Sequence, residues 1–157
     1  MKRLFIAAAA ALLLYIAANG ALTAHAVAVP LRSAPFARPD TMVASPEPGL
    51  FWKRSLIWRQ DHGIWRGDYD PFEAWSRLVD YSGPVPDGMA DPLARRTLMD
   101  SPAFAHFRRW SILPMAAITR SRCSVRIDYQ DARFGMRPSR GRLLGQSATL
   151  PTGASGC

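Results

Sequence analysis

Residues 104–135, FAHFRRWSILPMAAITRSRCSVRIDYQDARFG, carry the plainest structural signal in the chain. Phe104, Phe107 and Trp110 recur at every third position and form one apolar stripe on a short helix. Leu113–Arg120 and Cys123–Tyr129 then read as two strands. In the second, Cys123, Val125, Ile127 and Tyr129 face one way, and Ser124, Arg126 and Asp128 face the other. That period of two is the mark of a half-buried antiparallel strand. Asp131, Arg133 and Phe134 follow as an Asp-x-Arg-aromatic turn ending at Gly135.

Upstream, Leu50, Trp52, Leu56 and Trp58 alternate with Phe51, Lys53, Ser55 and Arg59, and only Arg54 breaks the apolar side. Asp61-His62-Gly63 supplies a turn with Gly63 available for positive φ, so Ile64–Tyr69 returns as the second strand of a hairpin. Asp70-Pro71, Asp91-Pro92 and Ser101-Pro102 each place a capping oxygen before a proline at the first helical position, and Glu73 completes a capping box in the first case. After Gly135 a last strand is expected around Leu143–Leu150, followed by a loose tail.

The N-terminus is of another kind. Lys2 and Arg3 precede LFIAAAAALLLYIAANGALTAHAVAV, which holds no formal charge and is long enough to reach across ~30 Å of hydrocarbon. The same letters make a secretory signal, with Ala24-His25-Ala26 as a small-x-small cleavage site before Val27. Asn19, Gly20 and Thr23 weaken the second half as a lipid-facing helix. Residues 30–49 are proline-rich and read as an extended connector, with a short edge strand at Thr41–Ala44.

The expected fold is therefore α+β: one N-terminal transmembrane helix (or signal peptide) over 1–29 and a connector over 30–49. A small domain of antiparallel strands with short helices follows over 50–136, then a last strand and tail over 137–157. The expected core is Trp52, Trp58, Trp75, Phe107, Trp110 and Ile127.

The chain of 157 residues has 20 basic and 12 acidic residues, a net charge of +8, and its only lysines are Lys2 and Lys53. An arginine-dominated surface suits phosphate or carboxylate partners. Arg54, Arg59, Arg66, Arg108 and Arg109 are the candidates for contact with an anionic surface such as phospholipid. No nucleic-acid partner is expected, because no groove-reading motif is present. The three histidines, His25, His62 and His106, have no second histidine at helical spacing, and no Cys-x-x-Cys or Gly-x-Ser-x-Gly occurs. No cofactor, metal site or catalytic site is visible. Asp128, Asp131 and Arg133 form the polar cluster of most interest. It reads first as a network tying the turn to the sheet, and alternatively as a polar patch facing a membrane domain. Cys123 is expected on the buried face of its strand, and two cysteines so placed indicate no disulfide framework.

The succession MVASPEPGLFWKRSLIWRQDHGIWRGDYDPF, the helix ending FRRW, then SILPMAAI and VRIDYQDARFG resembles the C-terminal portion of bacterial inner-membrane metal-dependent hydrolases of the YdjM type. Ala44-Ser45-Pro46-Glu47-Pro48 and Trp52-Lys53-Arg54 match that family's tail approximately. Trp110, Pro114, Asp131, Arg133 and Phe134 fit its later positions. The resemblance covers about residues 1–136 and implies a retained, single-pass anchor in the inner membrane, rather than export after cleavage at Ala26/Val27. The family's divalent metal is held by membrane helices that this chain lacks, so the resemblance carries over no catalytic or metal residue. It implies a truncated tail, not catalytic alone, with membrane lipid as partner: a fragment, a remnant, or a split product that docks with a separate multi-helix membrane subunit. The alternative function is an exported or tethered Arg/Trp-rich module binding an anionic surface such as phospholipid.

Overall fold

The structure is a computed structural model that describes residues 2–31, 39, 41–72, 81–135 and 145–152. Its first element is the apolar helix α1 (Lys2–Leu31), whose part Lys2–Ala28 is long and apolar enough to cross a membrane or to serve as a signal sequence. Two small antiparallel sheets and short helices follow, the α+β arrangement expected. One sheet has the order β1 (Thr41–Glu47), β2 (Leu50–Gln60), β3 (Gly63–Tyr69), β4 (Tyr81–Pro86); the other has the order β5 (Pro114–Arg120), β6 (Ser124–Asp131), β7 (Gly145–Pro151). Between β4 and β5 in the chain come α2 (Pro92–Asp100) and α3 (Ala105–Trp110). The edge strand expected at Thr41–Ala44 is β1 and the last strand expected around Leu143–Leu150 is β7, whereas β4, with no counterpart among the expected strands, completes the first sheet.

By contacts the chain divides into two compact units, Met1–Leu56 with Arg66–Ser82, and Ile57–Trp65 with Gly83–Cys157. In the first, α1 packs on β1. The exposure pattern explains how. Every described residue from Lys2 to Ala18 is exposed, whereas Asn19, Leu22, Thr23, Ala26 and Val27 are partly or wholly buried. These positions follow the i, i+3, i+4, i+7, i+8 spacing of a single helix face. The free part of the helix and the docked part thus meet at Asn19.

In the second unit β5 and β6 pair with Ile118 opposite Ile127 and Ala116 opposite Tyr129, and β6 pairs with β7 with Ile127 opposite Ala148. The alternation read from the sequence holds: Val125, Ile127 and Tyr129 are buried while Ser124, Arg126 and Asp128 are only partly covered. Their apolar face packs against Ala94, Leu98, Phe104 and Phe107 of the helical segment. Trp58, Phe107 and Ile127 are fully buried, as expected of core residues; Trp52 and Trp110 are half-buried, and Trp75 lies outside the described residues.

Local chemistry agrees with the caps in part. The Asp91 carboxylate accepts from the Leu93 N–H at 2.8 Å and starts α2. The Asp70 carboxylate accepts from the Phe72 N–H at 3.0 Å, while Glu73 and the helix expected beyond it lie outside the described residues. Ser101 makes no side-chain cap, and a 3-10 turn over Pro102–Phe104 precedes α3.

The hairpin turn differs from expectation. Positive φ falls on Asp61 (51°) and His62 (62°), not on Gly63, which makes a two-residue turn of the primed kind that suits strand twist. Gly63 is required for another reason: a Cβ there would lie 2.6 Å from the Pro84 Cβ. Cys123 is likewise corrected. It lies just before β6, because the strand starts one residue later than its alternation suggested, and it is exposed rather than buried and is disulfide-bonded. Cys157 lies outside the described residues.

Candidate functional site

Among the described residues of the first unit one cation is buried, Arg54, 1% exposed and carried by β2 on the same side as Leu56 and Trp58. A charge in that position must have its donors satisfied, since an unpaired buried ion is costly. Nε donates to Thr23 Oγ1 at 3.1 Å, and Nη2 donates to Asn19 Oδ1 at 2.9 Å and to the Asn19 carbonyl at 3.3 Å. Nη1 donates to the carbonyls of Phe51 and Lys53 at 2.5 and 2.8 Å. Every acceptor is a neutral oxygen, and those of the helix all come from the turn where α1 passes from free to docked.

A second pair reinforces the seam. His25 Nδ1 lies 2.7 Å from the Tyr69 hydroxyl at the end of β3. Burial pushes the Tyr69 phenol above its ordinary range, against the opposing pull of the Arg54 charge. The phenol is therefore neutral and can donate to His25 in the tautomer protonated at Nε2. Beside the seam, Gly20, Ala24, Val27 and Pro46 line an apolar space of about 510 Å³ with Asn19, Thr23 and Arg54. On the far side of the strand Lys53 pairs with Asp70 at 3.0 Å.

The polar cluster expected around Asp131 forms only in part. Arg133 binds Asp131 bidentately, Nε to Oδ1 at 2.9 Å and Nη2 to Oδ2 at 3.1 Å, and also donates to the Trp110 carbonyl at 3.2 Å. Asp131 Oδ2 further accepts from Ser111 Oγ and from the N–H groups of Ile112 and Leu113. Fully buried and fully bonded, Asp131 fastens the end of β6 to the entry of β5, which is the structural role. Burial alone would push its carboxyl up, but Arg133 and the three main-chain N–H groups together hold it below the ordinary value. Asp128 does not join them. It lies on the other face of β6 and pairs with Arg126 at 2.7 Å.

The five arginines singled out for surface contact do not converge. Arg54 is internal, as described. Arg59 pairs with the buried Asp87 at 2.7 Å and also donates to the Pro114 carbonyl. Arg108 donates to the Leu98 and Ser101 carbonyls. Arg66 and Arg109 are exposed, on different units. His62 occupies its turn and His106 is exposed. Among the described residues no group of three or more His, Cys, Asp or Glu side chains could hold a metal ion.

Sequence reasoning marked Arg54 as the one break in an apolar alternation and Asn19 and Thr23 as defects in a lipid-facing helix. It did not join them. Two defects that cancel each other are a usable signal, because each is costly only while it lacks the other. Set against known proteins, the chain matches no family model, no curated protein and no solved structure.

Proposed function

We propose that this chain is a membrane-anchored tail domain, not catalytic by itself, of the kind that follows the membrane bundle in YdjM-type metal-dependent hydrolases. The bonding of Arg54 to Asn19 and Thr23 carries the anchor half of this reading. Cleavage between Ala26 and Val27 would remove both residues and His25, leaving the Arg54 charge without its helix partners and Tyr69 without its imidazole. A removable signal has no need to complete the interior of the domain it exports.

The lengths fit the same reading. The exposed stretch, residues 2–18, spans about 25 Å as a helix, close to the ~30 Å of a hydrocarbon core. Asn19 and Thr23 then fall near the headgroup boundary, where a polar seam is tolerated. The bacterial inner membrane is the location the family resemblance implies.

The tail half rests on the sequence resemblance: the Pro114 strand and the Asp131-x-Arg133-Phe134 turn at its positions, with Asp131 and Arg133 bonded to each other and to the main chain around them. A partner membrane subunit would then supply the metal ligands and the attacking water. The test is fractionation and intact mass of the full-length chain expressed in a bacterial host. A membrane species retaining residues 1–26 supports the anchor, and a soluble species beginning at Val27 overturns it. Retention of a multi-helix membrane protein on the tagged chain supports the tail reading.

A further inference from the structure

The helical segment of the second unit has a face that neither the seam nor the sheet uses. Met89, Leu98, Met99 and Pro114 border a groove of about 260 Å³, with Arg95 and Arg108 on its rim. Its apolar edge is open: Met99 is 65% exposed, and Ile112, which follows the lining residue Ser111 in the chain, is 55% exposed. Apolar side chains more than half exposed beside a groove fit a site of contact with an apolar partner.

The charges around it are predominantly positive. Arg95, Arg96 and Arg109 are exposed on α2 and α3, and Arg108 is half-buried between them. The carboxylates on the same elements are Asp100, which is exposed, and Asp91, which Arg120 neutralises at 2.6 Å. Arg108 spends Nη1 on the Leu98 and Ser101 carbonyls, at 2.6 and 3.0 Å, which fixes the side chain while its other nitrogens keep no protein partner among the described residues. Arg95 makes a single long contact, 3.5 Å to the Ala90 carbonyl. The groove is thus an apolar slot edged by held cations with donors to spare.

We infer that this face docks on an anionic phospholipid surface, with the guanidinium groups at phosphate level and Met99 and Ile112 entering the acyl boundary. The inference rests on the anchored reading, since a chain that spans the bilayer keeps that surface at high effective concentration. The chemistry favours lipid over an acidic peptide. Met side chains adapt to a disordered apolar medium, and scattered arginines answer mobile headgroups without a fixed register.

The test is amide hydrogen exchange on the full chain in nanodiscs of phosphatidylcholine, with and without phosphatidylglycerol. Exchange in α2 and α3 is expected to slow by roughly fivefold or more in the anionic discs. High salt and the exposed-site double variant Arg95→Glu/Arg96→Glu should each abolish the slowing, while exchange in β6 stays constant and reports an intact fold. Met99→Ser should remove part of it. Equal exchange in the two kinds of disc overturns the inference. Protection that appears only when another protein is added assigns the groove to a polypeptide and also overturns it. A chain that enters neither disc overturns the anchor instead. The groove is then read by flotation with phosphatidylglycerol vesicles, where binding lost in the double variant supports it and absence of binding rejects it.

Discussion

Arg54 on β2 and Asn19 on α1, 35 positions apart in the chain, are joined twice through one guanidinium nitrogen, at 2.9 Å to the amide oxygen and 3.3 Å to the carbonyl. Because no carboxylate among the described residues bonds to Arg54, the buried charge is held there by hydrogen bonds to neutral oxygens. Asn19→Ala is expected to destabilise the full chain by roughly 2–3 kcal/mol, since the charge stays buried with fewer acceptors. Arg54→Met, which removes the charge and keeps the bulk, should cost less. Thermal unfolding in detergent, followed by near-ultraviolet circular dichroism, checks the order. If the arginine variant proves the more damaged, the charge is not what Asn19 serves.

Asp131 gives the fold an acid limit. Its carboxyl is buried, which raises its pKa, but Arg133 and the N–H groups of Arg133, Leu113 and Ile112 more than reverse this. The folded value therefore lies below the unfolded one, so its contribution is complete above about pH 4 and fades as pH falls through the folded value. Asp131→Asn should lose roughly 2–4 kcal/mol at neutral pH. The gap between variant and parent, measured by urea unfolding, should narrow as the solution is acidified below about pH 4. A gap independent of pH would remove the ionised carboxylate from the account.

Gly63 separates two reasons for a glycine. Its backbone needs no positive φ, yet a Cβ would meet the Pro84 ring carbon at 2.6 Å. Gly63→Ala is expected to cost about 1–3 kcal/mol through overpacking. His62→Gly, at a φ of 62°, should stay within roughly 0.5 kcal/mol of the parent. The reverse order, in paired thermal melts, would return the conformational role to Gly63.

These sites mark how far the residues could be read in advance. Period-two burial in β6 and the Asp91 cap of α2 follow from local rules, and local rules placed them. β4 escaped because Tyr81–Pro86 has no apolar alternation and contains Gly83 and Pro84, which a strand tolerates only at a sheet edge, where β4 lies. The Arg54 seam escaped for a different reason: its partners sit on another element, and spacing along the chain says nothing about such distances. The arginine candidates failed to converge because composition does not say which cations the interior consumes, and Arg54 and Arg59 are consumed.

Cys123 carries a prediction about compartment. It is exposed and disulfide-bonded, and such bonds persist where the surroundings are oxidising. Protein purified under non-reducing conditions should therefore resist a maleimide until reduced, and its intact mass should be lighter by two hydrogens. Lys2 and Arg3 before α1 favour a cytoplasmic N-terminus and an exported domain, while Arg32 and Arg38 just beyond the helix pull the other way, so the state of Cys123 decides between the two sides. Ready labelling without reductant, in cells of an intact envelope, would put the domain on the cytoplasmic side.

Tyr129 sets the alkaline limit. It is 1% exposed, donates its hydroxyl to the Ala94 carbonyl at 2.8 Å, and packs edge-on against Phe104 with ring centroids 5.0 Å apart. Burial pushes the phenol up to about 12. A raised folded value means that the neutral phenol stabilises the fold fully below the unfolded value of about 10, and that this is lost as pH rises toward the folded value. Ultraviolet titration should find one tyrosine ionising late, together with unfolding. Tyr129→Phe should lose about 1 kcal/mol near neutral pH, the net worth of the hydrogen bond. Above about pH 10 the variant should close that gap, because a phenyl ring has no charged form to expel from the core. Parallel alkaline titration curves for parent and variant would show that another group governs the limit.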